Sequence, residues 1–124
     1  MRIHTELTLA EFKELLRSGE NHFSNIEVIE SGELHDYNLD EVVFEECILT
    51  LDFSSSTFRK AKVIDSNIKT CIFANANLSN AEFINNSIEH CIFSHADITG
   101  ITFVQNSRYS SECTLQDLME LVKE

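Results

Sequence analysis

The side chains best suited to chemistry in this 124-residue chain are four cysteines, five histidines and a run of acids, and their spacing limits what they could do together. Cys47, Cys71, Cys91 and Cys113 lie 24, 20 and 22 residues apart. No CxxC pair exists, so neither a zinc ribbon nor a dithiol redox centre is supported, and buried free thiols are expected. His4, His22, His35, His90 and His95 show no metal-ligand spacing. No nucleophile–base arrangement, phosphate-binding loop or convincing carboxylate pair is visible. The residues therefore point away from an enzyme: no catalytic, metal or cofactor site is expected.

The acids are different, because they are concentrated. Residues 1–47 hold twelve acids and three Lys or Arg, a net of −9, whereas residues 48–124 hold nine acids and six bases, a net of −3. Asp36, Asp40, Glu41, Glu45 and Glu46 fall close together. Direct binding to nucleic acid or to an anionic membrane needs a basic footprint, so both are disfavoured. A protein partner with a basic surface is electrostatically favoured. The plainer alternative is a solvated face that keeps the molecule soluble. The N-terminus lacks a basic region followed by an apolar run, and no segment has the length and apolarity of a membrane span, so the cytoplasm is the default expectation. There is no proline and there are only three glycines, so the chain must turn on ordinary residues.

What positions these acids is a period of five. Every fifth residue from Phe53 is large and apolar: Phe53, Phe58, Val63, Ile68, Phe73, Leu78, Phe83, Ile88, Phe93, Ile98, Phe103. Leu34, Leu39, Phe44 and Leu49 form a second series that joins the first one residue short. On an α-helix a five-residue step smears around the axis, and on a flat strand successive members fall on opposite faces. A chain that bends once in five residues can bury the list together. The residue two before each centre is often small (Ser56, Ala61, Ser66, Cys71, Ala76, Ala81, Cys91, Ala96), as a narrow lumen requires.

Segments such as Ala76-Asn77-Leu78-Ser79-Asn80 and Ala96-Asp97-Ile98-Thr99-Gly100 resemble the A-(D/N)-L-x-x pattern of pentapeptide-repeat proteins, over about residues 32–105. The resemblance implies an all-β solenoid, a right-handed quadrilateral β-helix with four repeats per coil. Residues twenty apart then stack, giving about four coils. Tyr37, Val42, Leu51 and Ile101 are large at the small position and Asn86 is polar there, which predicts local widening or a hydrogen-bonded amide in the lumen.

The ends of such a rod need covers. Thr8 and Glu11 form a capping box ahead of Phe12, Leu15 and Leu16, with Gly19 as the stop, and Thr114 opens a second helix carrying Leu115, Leu118, Met119 and Val122. The expected layout is an N-terminal capping helix and lead-in over 1–31, the repeats over 32–107 and a C-terminal helix over 108–124, as one domain. That last helix could cap the final coil or pair with a second copy. The register places Asp36, Asp40, Glu41, Glu45 and Glu46 outward on the first coil, the expected partner-binding surface. It also aligns Ile64, Ile84 and Val104, and separately Ile72 and Ile92, on the outside, as packing sites for a terminal segment or as an apolar interface, including that of a homodimer.

The expected function is a non-catalytic protein-binding module, foremost an acidic inhibitor of immunity type that blocks a basic partner such as a toxin. The resemblance also implies a second reading, DNA mimicry directed at a type II topoisomerase (gyrase), and a scaffold with no discrete ligand is the third.

Overall fold

A residue that must bend the chain every five positions without proline has one inexpensive route, the left-handed region of backbone space. The computed structural model describes residues 4–124 and shows that route taken throughout. Except after Val28 and Leu49, the second residue after the central apolar residue has positive φ, from Asn25 (58°) after Phe23 through Asp36, Glu41 and Glu46 on the first coil to Gln105 (59°) after Phe103. Only at Gly100 is this residue a glycine; there a side chain would also strike Asn80.

The elements in chain order are β1 (Thr5–Leu7), α1 (Leu9–Arg17), β2 (His22–Ser24), β3 (Ile26–Val28), β4 (Gly32–Glu33), β5 (Val43–Glu45), β6 (Leu51–Asp52), β7 (Lys62–Ile64), β8 (Glu82–Ile84), β9 (Thr102–Val104), β10 (Asn106–Arg108), β11 (Ser111–Cys113) and α2 (Leu115–Leu121). They build a right-handed four-sided β-helix. The third side is a five-stranded parallel sheet in the order β2-β5-β7-β8-β9, which stacks Phe23, Phe44, Val63, Phe83 and Phe103. The first side pairs β4 with β6 and continues through Asp52↔Ile72 and Ile72↔Ile92. The second side pairs Asn38↔Thr57↔Asn77↔Asp97, and the fourth Glu27↔Ile48↔Asn67↔Ser87↔Ser107.

Two corners break the period, and both join the fourth side to the first. Val28 to Leu34 is one residue long, and Leu49 to Phe53 is one residue short. Partners on the third side are therefore 21 apart at Phe23↔Phe44, 19 apart at Phe44↔Val63, and 20 apart thereafter. These are also the two corners that lack the positive-φ residue two after the centre. The expected count of about four coils grows to about five turns, because Phe23 and Val28 already point inward as part of the ladder.

The turns are hydrogen-bonded in two ways. On the first, second and fourth sides from Phe53 onward, and at Leu39, the central carbonyl accepts from the N–H three residues on, as in Ser56 to Phe53, Ala61 to Phe58 and Cys71 to Ile68. This closure with positive φ at the third residue is the signature of a type II turn. At Leu34 the Ser56 hydroxyl bridges instead, accepting from the Tyr37 N–H and donating to the Leu34 carbonyl. The polar residue before the centre then accepts from the N–H two residues on, as Asn38, Asp52, Asn67, Asn77 and Asp97 do, which explains the D/N of the repeat.

After the third side the turn bond is replaced by a buried side-chain ladder. Ser66 Oγ accepts from the Cys47 N–H at 3.1 Å, Asn86 Oδ1 from the Ser66 N–H at 2.9 Å, and Asn106 Oδ1 from the Asn86 N–H at 3.1 Å. Asn86 Nδ2 donates to the Val63 carbonyl, and Asn106 Nδ2 to that of Phe83. Asn86 is therefore the hydrogen-bonded lumen amide expected. Val42 and Leu51 are accommodated as fully buried core.

The lumen is filled by aromatic rings. Phe53, Phe73 and Phe93 stack with centroids 5.5 and 5.3 Å apart, and Phe58 and Phe83 meet them edge-on. At the N-terminal end α1, capped by the Thr8–Glu11 box, lays a fully buried Phe12 across Phe23 and Phe44. At the other end the β10–β11 hairpin leads into α2, whose box is Thr114 with Asp117. Leu118 is buried there, and the Val122 carbonyl accepts from the His95 N–H of the last coil. The C-terminal helix thus covers the coil end.

Three stability changes follow. Phe73→Asp places a charge in the stacked column and should abolish cooperative unfolding by circular dichroism. Asn86→Ala strips partners from the Ser66 N–H and the Val63 carbonyl and should cost about 3 kcal/mol in urea. Thr70 is β-branched at φ 65°, so Thr70→Asn should gain about 0.5–1 kcal/mol.

Candidate functional site

The five acids expected to bind a partner lie on successive stretches of the first coil, and the fold presents them in two ways. Asp36, Glu41 and Glu46 are the positive-φ residues of three consecutive turns, so they project from the corners. Asp40 precedes Glu41 in the turn that the Val42 N–H closes onto the Leu39 carbonyl, and Glu45 ends strand β5, one residue after Phe44. The turn geometry was not visible in the sequence, although the recurrence of polar residues two after each centre was its trace.

The belt is not uniformly bare. Arg59, 19 residues on and one rung below, clamps Asp40 through Nη2 at 2.7 Å and Nε at 3.1 Å, and the Arg59 N–H donates to the other carboxylate oxygen. The guanidinium holds the Asp40 carboxyl below the usual carboxylate range. Asp40, Glu41, Arg59 and Lys60 together line one shallow depression. Glu45 meets His22 at 2.8 Å, and Glu33 meets His35 at 3.0 Å. Sequence reasoning missed this basic rung; the 19-residue spacing of the short coil is the signal that reveals it.

The apolar residues expected to align do so: Ile64, Ile84 and Val104 pair in register across β7, β8 and β9, and Ile72 pairs with Ile92. Val104 and Ile92 each keep 44 % of their surface exposed. The two terminal helices bury Phe12 and Leu118 at the rod's ends.

All four cysteines are free thiols. Cys71 and Cys91 fill the small inward position before the first side, their Sγ atoms directed to the carbonyls of Leu49 and Ile68. Burial pushes the Cys71 thiol up to about 12 and raises those of Cys91, Cys47 and Cys113 as well. Pairing of β1 with β3 also collects His4, Glu6 and Glu27, whose ligand-capable atoms lie within 4.8 Å of one another. His4 and Glu6 are exposed, and the 2.7 Å His4–Glu27 hydrogen bond accounts for the grouping.

A corner-turning, four-sided parallel ladder with a five-residue step defines a class, the quadrilateral β-helix. The profile described as Pentapeptide repeats matches residues 64–100 in eight copies, so this stretch of the chain is built of pentapeptide repeats. The match falls on the regular coils beyond both irregular corners. HetL, a pentapeptide repeat protein involved in heterocyst differentiation regulation from the cyanobacterium Nostoc sp. strain PCC 7120, is similar in structure with a TM-score of 0.57 at 18% identity. The similarity covers 81% of this chain but only 40% of HetL, so this chain spans well under half of that protein. QnrB1, a plasmid-mediated fluoroquinolone resistance protein, aligns over 85% of this chain and 77% of its own at 11% identity and a TM-score of 0.28. No curated protein sequence matches. No helix among the described residues is long and apolar enough to cross a membrane.

Two measurements bear on these groups. Native protein at pH 8 should react with a thiol reagent far more slowly than unfolded protein, and one rapidly labelled cysteine would contradict the buried assignment. Asp40 and Asp97 both have lowered carboxyl pKa values, held by Arg59 and Thr99 respectively. Their contribution is complete above the unfolded value of 3.8 and disappears as pH falls through the folded values. Asp40→Asn with Asp97→Asn should therefore flatten the acid limb of stability below about pH 4.

Proposed function

We propose that this chain is a non-catalytic protein-binding module that uses its acidic first coil to engage a basic protein, as an inhibitor of immunity type blocking a partner such as a toxin. The observation that carries this reading is the belt itself: Asp36, Asp40, Glu41, Glu45 and Glu46 arrayed around one coil at one end of a short rod. The acids are held on rigid turns, so little ordering is needed on binding. A surface dominated by acids on a preformed scaffold favours fast, salt-dependent association with an oppositely charged partner. Cys47, Cys71 and Cys113 are buried and Cys91 half-buried, all with raised thiol pKa values, and they serve as core filling.

Topoisomerase modulation by duplex mimicry is the second reading suggested by the repeat family. It calls for acid along the length of the rod, whereas here the acid is concentrated at the first coil and the second coil carries Arg59, Lys60, Lys62 and Lys69.

The test is retention of a basic protein from the native host at low salt, its loss as salt rises, and its loss at any salt with Glu33→Gln, Asp36→Asn, Glu41→Gln, Glu45→Gln, Glu46→Gln and Asp52→Asn combined. Recovery of no basic protein, or equal recovery by the neutralised variant, would sink the reading.

A further inference from the structure

The four sides of the rod are not equivalent outward. The second side carries Arg59 and Lys60, the third Lys62, and the fourth Lys69, which faces Glu89 at 3.8 Å. The first side, built from residues 32–36, 52–55, 72–75 and 92–95, contains no lysine or arginine. Its outward column reads Glu33, Asp52, Ile72, Ile92, and these residues are direct neighbours in successive rungs. The parallel column reads His35, Ser54, Ala74, Ser94, small enough beyond His35 to leave the wall flat. This one side therefore runs from two adjacent carboxylates to two adjacent isoleucines, with Ile92 left 44 % exposed.

Resting on the proposed docking of a basic protein, we infer that the first side is the face that docks it. The partner surface presents a pair of lysines or arginines, followed about 10–15 Å away by apolar side chains, the reach of two to three rungs. Charge selects this occupant over a second copy of the chain. Face to face in parallel, two copies set Glu33 and Asp52 against the same acids. In antiparallel they bury those acids against Ile72 and Ile92, removing carboxylates from water without a partner. Elsewhere on the belt, Asp40 is already occupied by Arg59 and backed by Lys60, so a basic partner there meets cations as well as acids.

The test titrates isotope-labelled full-length protein with a synthetic peptide joining a lysine block to a leucine block, and with an all-lysine control. Amide shifts should centre on Glu33, Asp52, Ile72 and Ile92. The block peptide should bind about tenfold more tightly than the control, as burial of one exposed isoleucine implies. Ile92→Ser should erase that preference, Asp52→Asn should weaken both peptides, and Glu82→Gln on the third side should change neither, each variant keeping the parent spectrum. Shifts centred on Asp40–Glu46, or spread over all four sides, would overturn the first side as the docking face while leaving basic-partner docking in place. Absence of binding by either peptide would overturn both.

Discussion

Every corner of this molecule but the two irregular ones hangs on one backbone residue held at positive φ. A single left-handed residue in each five turns the chain through a corner, and the remaining four are short enough to be spanned by one large inward side chain and one small one. The cost of the unusual conformation is met locally: the preceding carbonyl closes the turn, and the Asn or Asp before the centre collects the next N–H. Where that closure is missing, after the third side, Ser66, Asn86 and Asn106 supply it from inside the lumen. Asparagine is the residue most tolerant of this region besides glycine, and Asn75, Asn80 and Asn85 occupy it in the most regular coils.

The stacking of the inward residues follows from those corners. Because each coil returns after about twenty residues, like falls upon like, and Phe53, Phe73 and Phe93 become a column of rings. The same return stacks the outside. It lays Asp40 above Arg59, Glu33 above Asp52 and Ile72 above Ile92, so the surface is written in columns as much as in coils. An acidic belt read along the chain is only half of this surface; the basic rung beneath it becomes visible when the chain is read across.

Much of the fold was legible from periodicity, because burial demands it at every fifth position. Phe53 to Phe103 announced the ladder, and the four-residue step from Leu49 to Phe53 announced its short corner. The lead-in was harder. Phe23 and Val28 belong to the ladder, but the extra residue before Leu34 breaks the count, and only pairing of β2 with β5 restores it. The candidate site was legible as composition but not as geometry. The corner positions of Asp36, Glu41 and Glu46 depend on backbone dihedrals, and the Asp40–Arg59 clamp depends on a 19-residue offset created by that same short corner.

The two irregular corners divide the rod into unlike parts. Upstream of Phe53, each rung is tied to its neighbour by an offset of 21 or 19, so the first coil is a fitted piece whose length cannot change without turning acids inward. Downstream, the interval is a constant twenty. A duplication or loss of twenty residues in that stretch would return every side chain to its own side, with the same neighbours above and below. The acidic end is thus a fixed head, and the remainder is a shaft whose length the chain is free to vary, setting how far the C-terminal helix stands from the head without altering what the head presents.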